Sequence, residues 1–344
     1  MAKFATALVR WQRNHGRSGL PWQDTRDPYR VWLSEIMLQQ TQVAAVIPYY
    51  ERFLHRFPDI EALAAAEEEQ ILRLWSGLGY YARARNLHKA ARAVVERHAG
   101  RFPDSVEAIG ELPGIGRSTA AAIAVFCFGR RAAILDGNVK RVLARVFGIE
   151  GWPGERAVET RLWELAETLL PHRQLESYTQ GLMDLGATVC VRGKPRCGEC
   201  PVSRKCVARL EKRTDCLPGP RPRKPVPVKS ATWLLLQRAG HILLEKRPGA
   251  GLWGGLWTFP ELDGKDVALY CRRSLGCEIG APLSMEPIEH AFTHFRLQIR
   301  PLLCQVGEIC STAQAPGRMW IDLDDAVGAA VPAPVRKLLA RLGS

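Results

Sequence analysis

The sequence predicts a multidomain chain: an all-α domain ending in a cysteine-rich loop, followed by a smaller α+β domain. Three observations carry this. Apolar positions recur at helical spacing through residues 1–215, at Val31–Tyr50, Glu67–Trp75, Arg83–His98, Ser118–Phe128, Val139–Phe147 and Arg161–Leu170, with Pro, Gly and Asp between them. Four cysteines then crowd into residues 190–206. Finally L217-P-G-P-R-P-R-K-P-V-P-V-K229 sets five prolines among basic residues, which suits an extended linker and neither a helix nor a central strand. The expected domains are therefore 1–216 and 230–344, joined by 217–229. Past the linker the period shortens. A231-T-W-L-L-L-Q and H241-I-L-L-E-K-R read as strands around the turn R238-A-G, with further strands at Ala291–Ile299 and Pro301–Val306.

A chain of 344 residues that is 47% hydrophobic suits two globular domains and excludes a disordered or fibrous protein. The net charge of +13 is unevenly spread. Residues 1–229 carry 36 Lys and Arg against 24 Asp and Glu, whereas 230–344 carry 12 against 11. The first part is thus the one drawn to a polyanion. Met1–Arg13 lacks the basic, apolar, small order of a signal peptide. The longest apolar run, A120-A-A-I-A-V-F-C-F128, is far below the roughly 18 residues of a membrane span. The expected location is cytoplasmic. There, ten cysteines argue for metal ligation or free thiols over disulfides.

Cys190, Cys197, Cys200 and Cys206 follow the spacing C-x6-C-x2-C-x5-C, interleaved with Arg192, Lys194, Arg196, Arg204 and Lys205. Four thiolates suit tetrahedral zinc or an iron–sulfur cube. A single C-x2-C pair with uneven flanks favours one [4Fe–4S] cluster. The basic residues would offset its negative charge and present cations to phosphate.

I109-G-E-L-P-G-I-G-R-S-T-A120 sets Gly114 and Gly116 between two helical patterns, within about residues 105–128. Glycines let backbone N–H groups approach an anion, and the helix that follows aims its N-terminus the same way. This is a helix–hairpin–helix reading, a grip on phosphate without sequence readout.

Two carboxylates complete the pattern. Glu35 lies in the helix expected over W32-L-S-E-I-M-L-Q-Q-T-Q42, on one face with Gln39 and Gln42, with no Lys or Arg within a turn. Partial desolvation would raise its pKa and suit a general acid. Asp136, in I134-L-D-G-N-V-K-R141, falls at a helix start, where N–H groups would keep it ionised. One acid protonated and one ionised is the division of labour for cleaving a glycosidic bond.

Together with L20-P-W22, G77-L-G-Y-Y-A-R-A-R-N86 and L112-P-G-I-G-R-S-T119, these motifs resemble the MutY-type adenine DNA glycosylases of the helix–hairpin–helix superfamily, over nearly the whole chain. The resemblance implies excision of adenine opposite 8-oxoguanine or guanine in duplex DNA, the adenine flipped out, by a monomeric enzyme. It implies that Glu35 protonates adenine N7, that Asp136 stabilises or captures the C1′ cation, and that Asn138 orients the site. Trp22, Leu38 and Gln180 would line the adenine pocket. Gln40, Thr41 and Tyr80 would work at the 8-oxoguanine side, Tyr80 as a wedge. Ser118 stands where related endonuclease III-type enzymes carry a lysine, which points to a monofunctional glycosylase with no Schiff base at that site. The second domain resembles a Nudix fold. Its D266-V-A-L-Y-C-R-R-S-L-G-C-E-I279 lacks the paired carboxylates of a hydrolase, so it is expected to bind. A291-F-T-H-F295, with Phe292, Thr293 and His294, matches the loop that inspects 8-oxoguanine, a threonine replacing the usual serine. A pyrimidine glycosylase with lyase activity, a non-enzymatic iron–sulfur protein and a Nudix pyrophosphatase are the rival readings.

Overall fold

A computed structural model describes residues 2–222, 225–249, 251–309 and 315–343. Two compact units emerge: Met1–Ala65 with Asn86–Arg223, and Ala66–Arg85 with Lys224–Ser344. No helix among the described residues is long and apolar enough to cross a membrane.

The helices in chain order are α1 (Ala2–His15), α2 (Pro28–Leu38), α3 (Val43–Arg56), α4 (Ile60–Ala65), α5 (Glu68–Trp75), α6 (Ala82–His98), α7 (Val106–Gly110), α8 (Arg117–Phe128), α9 (Gly137–Phe147), α10 (Arg156–Leu169), α11 (Leu175–Asp184) and the short α12 (Val207–Leu210). In the first unit, Leu8 of α1, Val139, Val142 and Leu143 of α9, Leu162 of α10 and Leu182 of α11 form a buried core. Burying each such side chain contributes about 1.5–3 kcal/mol. That core fixes α8, α9 and α11, and α2 packs against α8; these elements carry the expected site. Leu217, the first residue of the expected linker, is buried in this core, and Gly219 N donates to Gly151 O at 2.9 Å.

The continuous helix expected over Val31–Tyr50 is two helices. Asp27 caps α2 through Tyr29 N at 2.9 Å, with Pro28 at the first position. The helix ends at Leu38 because Gln40 turns left-handed, φ 56°, and Thr41 N bonds back to Leu38 O at 3.2 Å. The Thr41 hydroxyl donates to Gln39 O, a local bond that competes with helix continuation. Gln39 and Gln42 therefore flank a turn and do not share a helical face with Glu35.

The second unit is a mixed sheet. Its strands are β1 (Val228–Arg238), β2 (His241–Lys246), β3 (Trp257–Thr258), β4 (Cys277–Ile279), β5 (Leu283–Ser284), β6 (Ile288–Ala291), β7 (Arg296–Ile309) and β8 (Arg318–Asp322). The main order is β3-β2-β1-β7-β4, with β1 and β7 parallel from Val228↔Arg296 to Gln237↔Gln305. Leu234, Leu236, Leu243, Leu275 and Cys304 are buried beneath it. The strand expected at Ala291–Ile299 is broken at 292–295, where the β6–β7 hairpin turns, and β7 runs on through Pro301. Residues 66–85 belong to this unit by specific bonds. Trp257 Nε1 donates to Glu69 at 2.7 Å, Ser76 Oγ to Val331 O at 2.8 Å, and Arg85 to Gly254 O at 2.7 Å. Helices α13 (Val267–Tyr270), α14 (Leu323–Ala326) and α15 (Ala333–Leu342) complete it.

Candidate active site and cysteine loop

Within the first unit a cavity of about 640 Å³ is lined by Trp22, Glu35, Leu38 and Gln180, together with Arg17, Ser34, Phe126 and Met183. Its volume lies in the range of ordinary small-molecule sites. Four of the expected residues, distant in sequence, thus share one cavity. Trp22 is fixed by an edge contact with the buried Tyr50 ring, centroids 5.3 Å apart.

Glu35 reaches the cavity wall from α2, beside buried Ser34, Ile36 and Met37. Burial pushes its carboxyl up to about 7; the charge of Asp136 adds to the rise, and Arg17 opposes it. The carboxyl thereby keeps a proton into the neutral range, the condition for a general acid. Arg17 escaped sequence reasoning because it comes from the loop after α1, 18 positions before Glu35 in the chain. Asp184 was missed too: it is fully buried, accepting from Arg17 Nε at 2.6 Å and Gln180 Nε2 at 2.9 Å. Only its i, i+4 spacing from Gln180 could have flagged it.

Asp136 is the N-cap of α9, accepting from Asn138 N at 2.8 Å and Val139 N at 2.7 Å. Those bonds were expected to hold it ionised. Burial instead lifts its pKa above the usual value, outweighing both N–H groups and the charges of Arg141 and Lys140. The two acids are therefore raised together. Asp136, Asn138 and Ser118 lie outside the cavity lining. The Asn138 side chain accepts from Arg141 at 2.9 Å, and that guanidinium also donates to Gly186 O and Cys190 O. A Cβ at Gly186 would stand 2.6 Å from Asn138 Cβ, so only glycine permits this approach. The Ser118 hydroxyl accepts from Leu135 N at 2.9 Å and so braces the segment that delivers Asp136. Lys140, the amine nearest in sequence, is ion-paired with Glu159 at 2.6 Å.

In the hairpin between α7 and α8, Gly114 has φ +80°, and a Cβ there would meet Asn86 at 2.6 Å. Gly116, N-cap of α8, has nothing within 4 Å of its Cβ position. The first glycine is thus required by shape, and the second faces open space.

Cys190, Cys197, Cys200 and Cys206 line one small cavity with Val142, Val146, Leu185 and Val189. None of the four forms a disulfide. Arg145, nearly fully buried, donates to Cys190 Sγ at 3.5 Å and to Val191 O at 2.7 Å, and Cys206 Sγ donates back to Arg145 O at 3.3 Å. Burial pushes the Cys200 thiol up to about 11. Among the described residues no three His, Cys, Asp or Glu side chains converge as ligands of a single metal ion.

Of the remaining expected residues Gln40, Tyr80, Thr293 and His294 are exposed, and Thr41 and Phe292 are half-buried. Gln40 and Thr41 occupy the turn after α2. Tyr80, in the second unit, is 49% exposed with φ +50°, its ring 5.5 Å from the Arg83 guanidinium. Burial lowers the pKa of Arg83 to about 10, and Leu78 O and Gly79 O accept from it. Thr293 and His294 are exposed at the β6–β7 tip. Beneath them Phe292 stacks on Phe295 at 4.5 Å and packs on Trp253 and His290 at 5.3 and 4.6 Å, and Phe292 N donates to Phe295 O.

Comparisons with known proteins agree with this layout. Residues 33–168 match the HhH-GPD superfamily of base excision DNA repair proteins, and residues 231–341 match the NUDIX domain. An adenine DNA glycosylase of Buchnera aphidicola (subsp. Acyrthosiphon pisum) is 36% identical over 337 residues, covering 98% of this chain and 96% of the relative. The Homo sapiens adenine DNA glycosylase is 34% identical over 399 residues, covering 97% and 73%. Among solved structures, a thermostable thymine-DNA glycosylase aligns with TM-score 0.55 and 34% identity over 60% of this chain and 95% of that one. An endonuclease III–DNA complex aligns with TM-score 0.52 at 20% identity, a likeness of fold alone, over 61% and 97%. With a helical repair domain, a Nudix-like sheet and full-length kinship at this level, the chain belongs to the adenine DNA glycosylases, hydrolases of the N-glycosidic bond in base excision repair.

Proposed function

We propose that the chain removes adenine paired with 8-oxoguanine or guanine as a monofunctional glycosylase, with Glu35 as the acid that protonates adenine N7. The observation that carries this is a carboxyl lifted to about 7 on the wall of the cavity that Trp22, Leu38 and Gln180 also line. Protonation at N7 makes the base a neutral leaving group, and the electron pair of the C1′–N9 bond departs with it. Asp136, one residue before α9, stabilises the resulting C1′ cation or bonds to it, and Asn138 and Ser118 hold the backbone that presents it. Glu35, now a carboxylate, takes a proton from the water that completes hydrolysis. With serine at 118 and Lys140 held by Glu159, neither of these two positions offers a free amine for a lyase step.

The recognition side of the proposal rests on shape. Gln40 and Tyr80 are exposed non-glycine residues in the left-handed region, strain that clusters at functional loops. In the first unit Gln40 and Thr41 suit the gap left by a flipped base; in the second, Tyr80 suits a wedge, and Thr293 and His294, presented on an aromatic base, suit inspection of 8-oxoguanine. Gly114 and Gly116 suit a phosphate. The four cysteines share one cavity, and their uneven spacing with a single C-x2-C pair suits one [4Fe–4S] cluster. When bound, such a cluster would crosslink residues 190–206 and relieve the cost of the buried thiolates.

The thymine-DNA glycosylase likeness favours a second reading, thymine excision from T:G pairs. One assay separates them. Duplexes bearing A opposite 8-oxoguanine, A opposite G, T opposite G and oxidised pyrimidines are incubated with the protein, with and without alkali. Adenine loss that needs alkali for strand scission is expected. Scission without alkali, or thymine released faster than adenine, overturns the proposal.

A further inference from the structure

We infer that Asp184 is a positioning residue that sets base specificity by fixing which end of the Gln180 amide meets the base. This rests on the reading that the Glu35 cavity receives the adenine. Asp184 is fully buried, and its carboxylate oxygens can only accept. Gln180 Nε2 donates one of its two N–H groups to Oδ1 at 2.9 Å, which turns the nitrogen end of the amide toward Asp184. The amide oxygen, Oε1, is then the acceptor left for whatever fills the cavity that Gln180 lines. Both rotamers of a glutamine amide have nearly the same shape, and the carboxylate removes one of them.

The carboxylate is itself locked. Arg17 Nε donates to Oδ1 at 2.6 Å and Arg17 N to Oδ2 at 3.0 Å. A Cβ at Gly16 would come within 3.0 Å of Asp184 Oδ2, so glycine lets the α1 exit close over the acid. The one-turn offset between Gln180 and Asp184 on α11 keeps donor and acceptor in register.

An acceptor at this wall favours a base carrying an exocyclic amine and disfavours one carrying a carbonyl at the same place. Adenine offers an N6 amine, whereas hypoxanthine, the same ring with O6, would bring two acceptors together. A buried polar group left unpaired discriminates far more strongly than a change of size.

The test uses full-length protein and single-turnover excision of adenine and of hypoxanthine from otherwise identical duplexes opposite 8-oxoguanine. Asp184→Asn lets the amide rotate, and the adenine-to-hypoxanthine rate ratio should fall at least about tenfold. Should that variant fail to fold for want of a partner to Arg17, the double variant Arg17→Met with Asp184→Asn removes both charges together, and the same fall is expected. Gln180→Leu removes the reader and should also collapse the ratio. Variants that slow both bases equally and keep the ratio overturn the inference, since a purely structural role predicts that outcome. A wild-type protein that releases no adenine overturns the functional reading itself, a result distinct from either.

Discussion

The two expected working regions are built in opposite ways. The cavity at Glu35 hides its acid against buried Ser34, Ile36 and Met37 on α2. The β6–β7 tip exposes Thr293 and His294 and buries only their support, with Phe292 clasped by Phe295, Trp253 and His290. Bond cleavage needs a proton held where water cannot level its pKa. Recognition of an intact, paired base needs groups held out toward the duplex on a rigid base. Variants of the acid in the first region should therefore alter the rates on A:8-oxoguanine and A:G duplexes alike, and variants in the second should alter the discrimination between those duplexes.

The largest effect is expected at Glu35. Glu35→Gln keeps the shape and loses the proton, so excision should fall by about 10²–10⁴ on A:8-oxoguanine and A:G duplexes equally, with duplex affinity unchanged. Gel-shift and single-turnover assays check both halves. A variant that retains excision on either duplex removes Glu35 from the acid role.

The pH dependence follows from the same burial. The acid acts when protonated, so excision should fall about tenfold per pH unit above a midpoint near 7, and that limb should vanish in Glu35→Gln. Stability carries the linked sign. A carboxyl raised in the folded state contributes stability that is complete below its unfolded pKa and is lost as pH rises through about 7. Because the cavity admits water, the loss is about 1–3 kcal/mol, less than full burial implies. Thermal midpoints of wild type and Glu35→Gln should coincide at pH 4 and diverge, with the variant higher, at pH 8.5. Coincidence at both values contradicts the burial argument.

How much of this was legible in the sequence depends on range. Asp136 at a helix start was readable because a cap is a local event, and the structure has it there. Its raised pKa was not, because burial comes from elements elsewhere in the chain. The helix at 31–50 was read as continuous because apolar spacing survives a one-turn break. The left-handed Gln40 that makes the break leaves no mark in periodicity. Arg17 and Asp184, 167 positions apart, meet only in the fold. Cysteine spacing announced a shared site, since four thiols within 17 residues can hardly avoid one another.

At the tip, the aromatic support separates from the reading group. Phe292→Ala removes a half-buried ring in contact with three others and should cost about 1–3 kcal/mol, lowering the thermal midpoint along with the preference for A:8-oxoguanine over A:G. An unchanged midpoint shows that the ring does not brace the hairpin.

The smallest and sharpest effect is expected one residue on. Thr293 is exposed at the apex, so Thr293→Ala should shift stability by no more than about 0.5 kcal/mol. Its hydroxyl is the group we propose donates to a lesion base, and losing one such bond should reduce the A:8-oxoguanine preference by about 3–10-fold while the A:G rate stays fixed. Thr293→Ser keeps the hydroxyl and sheds the methyl, so it should retain the preference. Competition between the two duplexes in one reaction reads this ratio directly. If alanine lowers both rates equally, the tip acts on the chemical step after all, and the contrast with the Glu35 cavity fails. If serine behaves like alanine, the methyl and not the hydroxyl makes the contact.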